Sequence, residues 1–235
     1  KATRMPGATD AQLAAFQYPI EYKFVPLFNT QSGFATFLIP AVLIMIIQQT
    51  MLLGVGMMAG EEREKIRKHI AEPHIIGKNP IEVLLGKSMV YFVIYIFVAL
   101  YLVCIVPELF NLVHIWDWKT LLSFMVPFLL ACVFFCMALS SLSHDRESFI
   151  IMFVFMSIPL LFISGISWPA SNIPVAWKMV SWLFPSTFGI NGFVRISEMG
   201  ATLPDVQTEI TALWIQTFAY LIISYIVYKR TYGKQ

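Results

Sequence analysis

The chain has 235 residues, enough for one or two water-soluble domains by length, but only 13% of them are charged and 58% are hydrophobic, against about 25% charged in an ordinary soluble domain. With a mean hydropathy of +0.72, its apolar surface is too large to hide behind so few polar groups, which excludes a water-solvated fold in favour of one solvated by lipid. The net charge of +2 excludes a broad basic field, so no nucleic-acid partner is expected.

Residues 1–33 are the more polar part, with Pro6, Gly7, Pro19 and Pro26, and read as an external linker or the remnant of an external domain. The chain opens on Lys1 without the basic stretch and short apolar run of a signal peptide, as expected of the C-terminal part of a longer protein or of a processed form. Five stretches without Asp, Glu, Lys or Arg follow, at 34–58, 88–106, 121–142, 149–166 and 210–228. A helical span needs about 20 apolar residues, and one lysine at its centre costs about 3 kcal/mol. The pattern predicts an all-α fold, a polytopic bundle of five membrane-spanning helices.

Gln48, Gln49 and Thr50 fall near the middle of the first helix, below a kink expected at Pro40. Polar side chains at that depth face the bundle interior. They line a pathway or join helices to one another, and the sequence leaves both open. Gly56 and Gly60 form a Gly-x-x-x-Gly packing pair towards the far end.

Next come Glu61, Glu62, Arg63, Glu64, Lys65, Ile66, Arg67 and Lys68. Acids lead and bases follow, which suits a helix dipole, and Ile66 and Ile70 share one face. A short amphipathic helix over 61–70 is predicted, resting in the headgroups or docked on a partner, with a solvated basic loop as the alternative. Gly86-Lys87-Ser88 looks like the end of a phosphate-binding loop. Ile81 stands where the motif's first glycine belongs, however, and no strand precedes it.

After the fourth stretch, Gly165 and Pro169 end the helix. Two short half-apolar helices are expected at 173–184 and 186–199, separated by Pro185, with Pro174 in the first turn. Neither can span. They predict a re-entrant outer hairpin over 168–200, with Asn172, Ser186, Thr187 and Asn191 available to satisfy backbone groups. A plain external hairpin is the alternative.

Lys and Arg concentrate in 61–87, in the 144–147 link and in the tail with Lys229, Arg230 and Lys234. The positive-inside rule places these segments in the cytoplasm, the N-terminus of the chain outside and its C-terminus inside. Trp116, Trp118, Trp168, Trp177, Trp182 and Trp214 all fall on the other side, at the depth amphipathic rings prefer. His69, His74, His114 and His144 are scattered over loops, and Cys104, Cys132 and Cys136 lie in apolar runs without metal-ligand spacing. No catalytic residue and no metal ligand is expected.

In order and spacing these features resemble the type-2 ABC transporter permease family over roughly residues 27–230. The 34–58 helix with Pro40 is similar to the family's second membrane helix, and 61–68 to the coupling helix that contacts the ATPase. Pro80 with Glu82-Val83-Leu84-Leu85-Gly86-Lys87 resembles the start of the third helix. Gly165, Pro169, Pro174 and Phe184-Pro185-Ser186-Thr187 resemble the outer hairpin. Ile66-Arg67-Lys68-His69 departs from the Gly-Thr pair the family often carries, and five helices fit a chain lacking the family's first helix.

The resemblance implies a permease domain over 34–230 and a cytoplasmic tail at 231–235, in the plasma membrane, the inner membrane of a bacterium. It implies an exporter subunit that performs no chemistry. The partners would be a second permease half, membrane lipid and a separate ATP-binding cassette ATPase. That ATPase, not this chain, would hold ATP and Mg. Coupling would fall to Glu61, Glu62, Arg63, Glu64, Lys65, Arg67 and Lys68, and the pathway lining to Gln48, Gln49 and Thr50. A secondary transporter outside this family, or a scaffolding membrane protein, is the alternative reading.

Overall fold

A computed structural model describes residues 34–68, 79–112, 115–140, 146–165 and 173–232. Among them every regular element is helical. Helix α1, Phe34–Arg67, runs through Pro40 without interruption. Its 34 residues make it about 50 Å long, well beyond a hydrocarbon core of about 30 Å. The separate short helix expected over 61–70 does not form as such: α1 continues straight into the charged stretch. Glu, Lys and Arg are good helix formers, and the pairs Glu61–Lys65 at 2.9 Å and Glu64–Lys68 at 2.6 Å link successive turns, so nothing stops the helix at Gly60. Residues 69 and 70 lie outside the described residues.

Helix α2, Pro80–Leu100, starts earlier than the apolar pattern suggested. The Asn79 side chain accepts the Ile81 N–H and Pro80 occupies the first turn, where its missing N–H is harmless. A π-helical turn, Tyr101–Ile105, joins it to the single turn α3, Val106–Leu109. Pro107 accounts for that turn. Its ring would press on the carbonyl four residues back in a regular helix, and the wider turn, with the Val106 N–H on the Tyr101 carbonyl, shifts the register. Helix α4, Trp118–Leu139, is capped by Asp117; α5 is Arg146–Ile163. Two shorter helices follow, α6, Val175–Ser181, and α7, Pro185–Met199. A 3-10 turn, Leu203–Val206, leads into α8, Gln207–Tyr232.

Among the described residues, four helical stretches are long and apolar enough to cross a membrane: Leu38–Ile66, Pro80–Leu109, Trp118–Leu139 and Leu203–Arg230. The stretch expected to supply a fifth forms α5, whose 18 residues reach only about 27 Å. Helix α4 is central, with 78% of its apolar window buried against 11% for α2. It packs along α8 and also touches α1, α2 and α7, while α1 holds α5 and α7. The Ser224 hydroxyl of α8 donates to the Phe134 carbonyl of α4 at 2.9 Å, a polar tie of the kind that joins helices in lipid.

Three glycines set how closely the helices approach. A Cβ at Gly56 would lie 2.3 Å from the Phe149 ring of α5, one at Gly189 2.4 Å from Phe128, and one at Gly192 2.3 Å from Phe124. Phe124 and Phe128 are successive knobs on α4, and both are fully buried. The two glycines of α7 are the holes that receive them.

Candidate functional site

Two assemblies of polar side chains stand out in this apolar bundle. The first lies at its basic end, where α1 leaves the apolar region. Glu62 forms an ion pair with Lys87 of α2, and the Lys87 ammonium sits 5.7 Å from the ring centroid of Tyr228 in α8, within cation–π range. One turn of sequence therefore ties α1, α2 and α8 together. Arg63, the neighbouring residue, donates to the backbone carbonyl of Ser140, which caps the C-terminus of α4. A guanidinium is favoured there because the last carbonyls of a helix are unpaired and carry its negative pole. Side-chain exposure is only 14% for Glu62 and 27% for Lys87, so water screens this pair less than a surface pair.

The charged stretch is thus two-faced. Glu62 and Arg63 point into the bundle. Glu61, Glu64, Lys65 and Lys68 form pairs four residues apart on the other side, where Lys65 and Lys68 side chains are more than half exposed. Arg67 belongs to α1. Gly86-Lys87-Ser88 lies inside α2; its lysine is engaged with Glu62 and its serine hydroxyl donates to the Leu85 carbonyl at 2.9 Å. That is helix, not a phosphate-cradling loop.

The second assembly is the turn between α6 and α7. Pro174 precedes the first residue of α6 and Pro185 is the first residue of α7, so Pro185 opens a helix rather than separating two. Gly165, with φ of 87°, follows α5; Pro169 and Asn172 lie outside the described residues. Backbone at the turn is satisfied from two other helices, α1 and α8. The Gln48 amide oxygen accepts the Ser186 N–H at 2.6 Å. The Gln216 amide donates to the Trp182 carbonyl at 2.7 Å, and the Tyr220 hydroxyl donates to the Leu183 carbonyl. Within the turn, the Thr187 hydroxyl donates to the Ser181 carbonyl at 2.7 Å, and further along α7 Asn191 donates to the Thr187 carbonyl at 2.8 Å. Phe135 of α4 sits edge-on between Phe184 and Tyr220, with centroids 5.6 and 5.2 Å away.

Gln48 and Gln49 are both buried. Gln48 also receives the Cys132 thiol at 3.9 Å. The two amide atoms of Gln49 are enclosed without a protein partner. Thr50 donates to the Ile46 carbonyl of its own helix at 2.7 Å. The sequence drew attention to Lys87 only within Gly86-Lys87-Ser88 and the start of the third helix, and to none of Ser140, Gln216, Tyr220, Tyr228, Gly189 or Gly192 as a site residue. Gln216, a second amide inside an apolar stretch, carried the same signal as Gln48.

At the opposite end, Arg195 of α7 pairs with Glu209 of α8 at 2.9 Å. The Ile115 N–H donates to the Ser197 carbonyl at 3.0 Å. Partial burial raises the pKa of the Glu198 carboxyl, and one of its oxygens is enclosed without a protein partner.

A family model described as ABC-2 family transporter protein matches residues 3–226 of the chain. No curated protein and no solved structure matches it.

Proposed function

The chain belongs to the ABC-2 transporter family and is a multi-pass membrane permease of that kind; from this premise we propose that it is an exporter subunit driven by ATP hydrolysis in a separate cassette ATPase. One observation carries the coupling scheme. α1 projects past its apolar part as a continuous rod whose inner face is tied to α2, α4 and α8 through Glu62 and Arg63. Its outer face presents Glu61, Glu64, Lys65 and Lys68. The ATPase grips the outer face. A push on the rod then reaches three helices at once, the rigid-body transmission that alternating states require.

In this reading α5 is the fifth span, the bundle pairs with a second permease half, and ATP and Mg reside in the ATPase. The basic end is cytoplasmic, in the inner membrane of a bacterium. The α6–α7 hairpin is re-entrant: its turn bonds to Gln48 and Tyr220, both near the middle of long apolar helices. Backbone at such depth is tolerated only where protein satisfies it. Of the two roles open to Gln48, joining helices is favoured by that bond; Gln49 and Thr50 are left as pathway candidates.

The test is reconstitution with the cassette ATPase, comparing wild type with Glu64→Lys/Lys65→Glu/Lys68→Glu. The expected result is lost ATPase association and lost ATP-driven transport, with an unchanged melting temperature for the chain alone. Full assembly and transport by the triple variant would refute the coupling surface.

A further inference from the structure

We propose that the groove between the π-helical turn after α2 and the first half of α4 holds one acyl chain of an anionic phospholipid, with Lys119 meeting its phosphate. The groove has a volume of about 110 Å³, and its walls include Ala99, Val103 and Cys104 on one side and Leu122, Met125 and Val126 on the other. The π turn and the small Ala99 side chain open it, and every lining side chain is apolar. It faces outward on the least covered long helix of the bundle, with Leu100, Leu122 and Val126 all exposed along it. A helix about 10 Å across cannot enter so slender a space, which argues against a second copy as its occupant. A single hydrocarbon chain can.

Two exposed charged side chains stand near this end of the groove: Glu108, one turn beyond the lining Cys104 on which its charge acts, and Lys119 on the facing wall. Lys119, Leu122 and Val126 are spaced i, i+3 and i+7 on α4, so they form one stripe. The lysine stands a turn beyond the apolar wall. It is exposed and has no ion-pair partner among the described residues. Trp118, 55% exposed, lies beside it and marks the depth of the lipid headgroups. A cation, an indole and an apolar slot in that order match phosphate, glycerol backbone and acyl chain.

The inference rests on the membrane-spanning reading but not on ATP coupling, and it is tested on the protein alone. The protein is reconstituted in phosphatidylcholine–phosphatidylglycerol vesicles with a trace of phosphatidylglycerol carrying a diazirine in its acyl chain. Labelled residues are mapped by mass spectrometry after illumination. Label should concentrate at 99–104 and 122–126, above the level at the ordinary lipid-facing residues Ile222 and Ile226 of α8. Val126→Trp, which fills the slot, should abolish that excess while leaving the α8 label unchanged, which shows that the variant is folded and inserted. Lys119→Glu should lower groove labelling about fivefold, the effect of one cation near an anionic surface. Equal labelling of groove and α8, or an excess that survives Val126→Trp, would overturn the lipid site. No label on any helix would instead overturn the membrane reading beneath it.

Discussion

The amide oxygen of Gln48, in the middle of α1, accepts the backbone N–H of Ser186, 138 residues further along the chain, at 2.6 Å. That N–H belongs to the first turn of α7, where a helix has no intrahelical acceptor to offer. The bond holds the hairpin turn against the centre of the bundle. A buried N–H left without an acceptor costs about 1–3 kcal/mol, so Gln48→Leu should destabilise the detergent-solubilised protein by about that amount. Scanning fluorimetry reads it directly, and a loss below about 0.5 kcal/mol would mean that another group or water satisfies Ser186.

Glu62 and Lys87 should behave as one unit. Single charge reversals, Glu62→Lys or Lys87→Glu, leave two like charges facing each other in a half-buried site. Each is expected to cost about 2 kcal/mol, between the values for surface and buried pairs. The double swap restores attraction and should recover most of the loss in a double-mutant cycle. Additive losses would show that the two side chains do not act on each other.

Packing at α7 gives a prediction of opposite chemistry. Gly189→Ala and Gly192→Ala each drive a methyl group into a buried phenylalanine ring, and overpacking of this kind costs about 1–3 kcal/mol. Pairing Gly192→Ala with Phe124→Leu should return part of the stability, because the smaller side chain gives way. A single variant with wild-type melting behaviour would contradict the close approach of α7 to α4.

Glu198 supplies a pH test. Its carboxyl is raised from the ordinary value by burial, so the fold favours the protonated form. Its contribution to stability is fully present at acid pH and is lost as pH rises through the raised folded-state value. Glu198→Gln should therefore melt above wild type at neutral pH, and the gap should close as pH falls into the ordinary carboxylate range. A gap that does not change with pH would assign the effect to packing alone.

The helical, lipid-solvated character of the chain was legible in the sequence because it depends on composition over long windows. An absence of charge across 20 residues needs no knowledge of neighbours. The charged stretch after Gly60 was equally visible, since helix dipole and i,i+4 pairing are local. Its division into an inner and an outer face was not. Which way Glu62 points depends on Lys87, 25 residues away, and on where α4 ends, so only the packed bundle decides it. The same holds for Gln48. The sequence set a polar amide in an apolar helix and left its role open, because its acceptor oxygen is satisfied by a backbone group on a distant turn. Hole-and-knob pairs such as Gly192 and Phe124 were invisible for a related reason. A glycine's role is set by what presses against it, and long-range contact is a property of the tertiary structure.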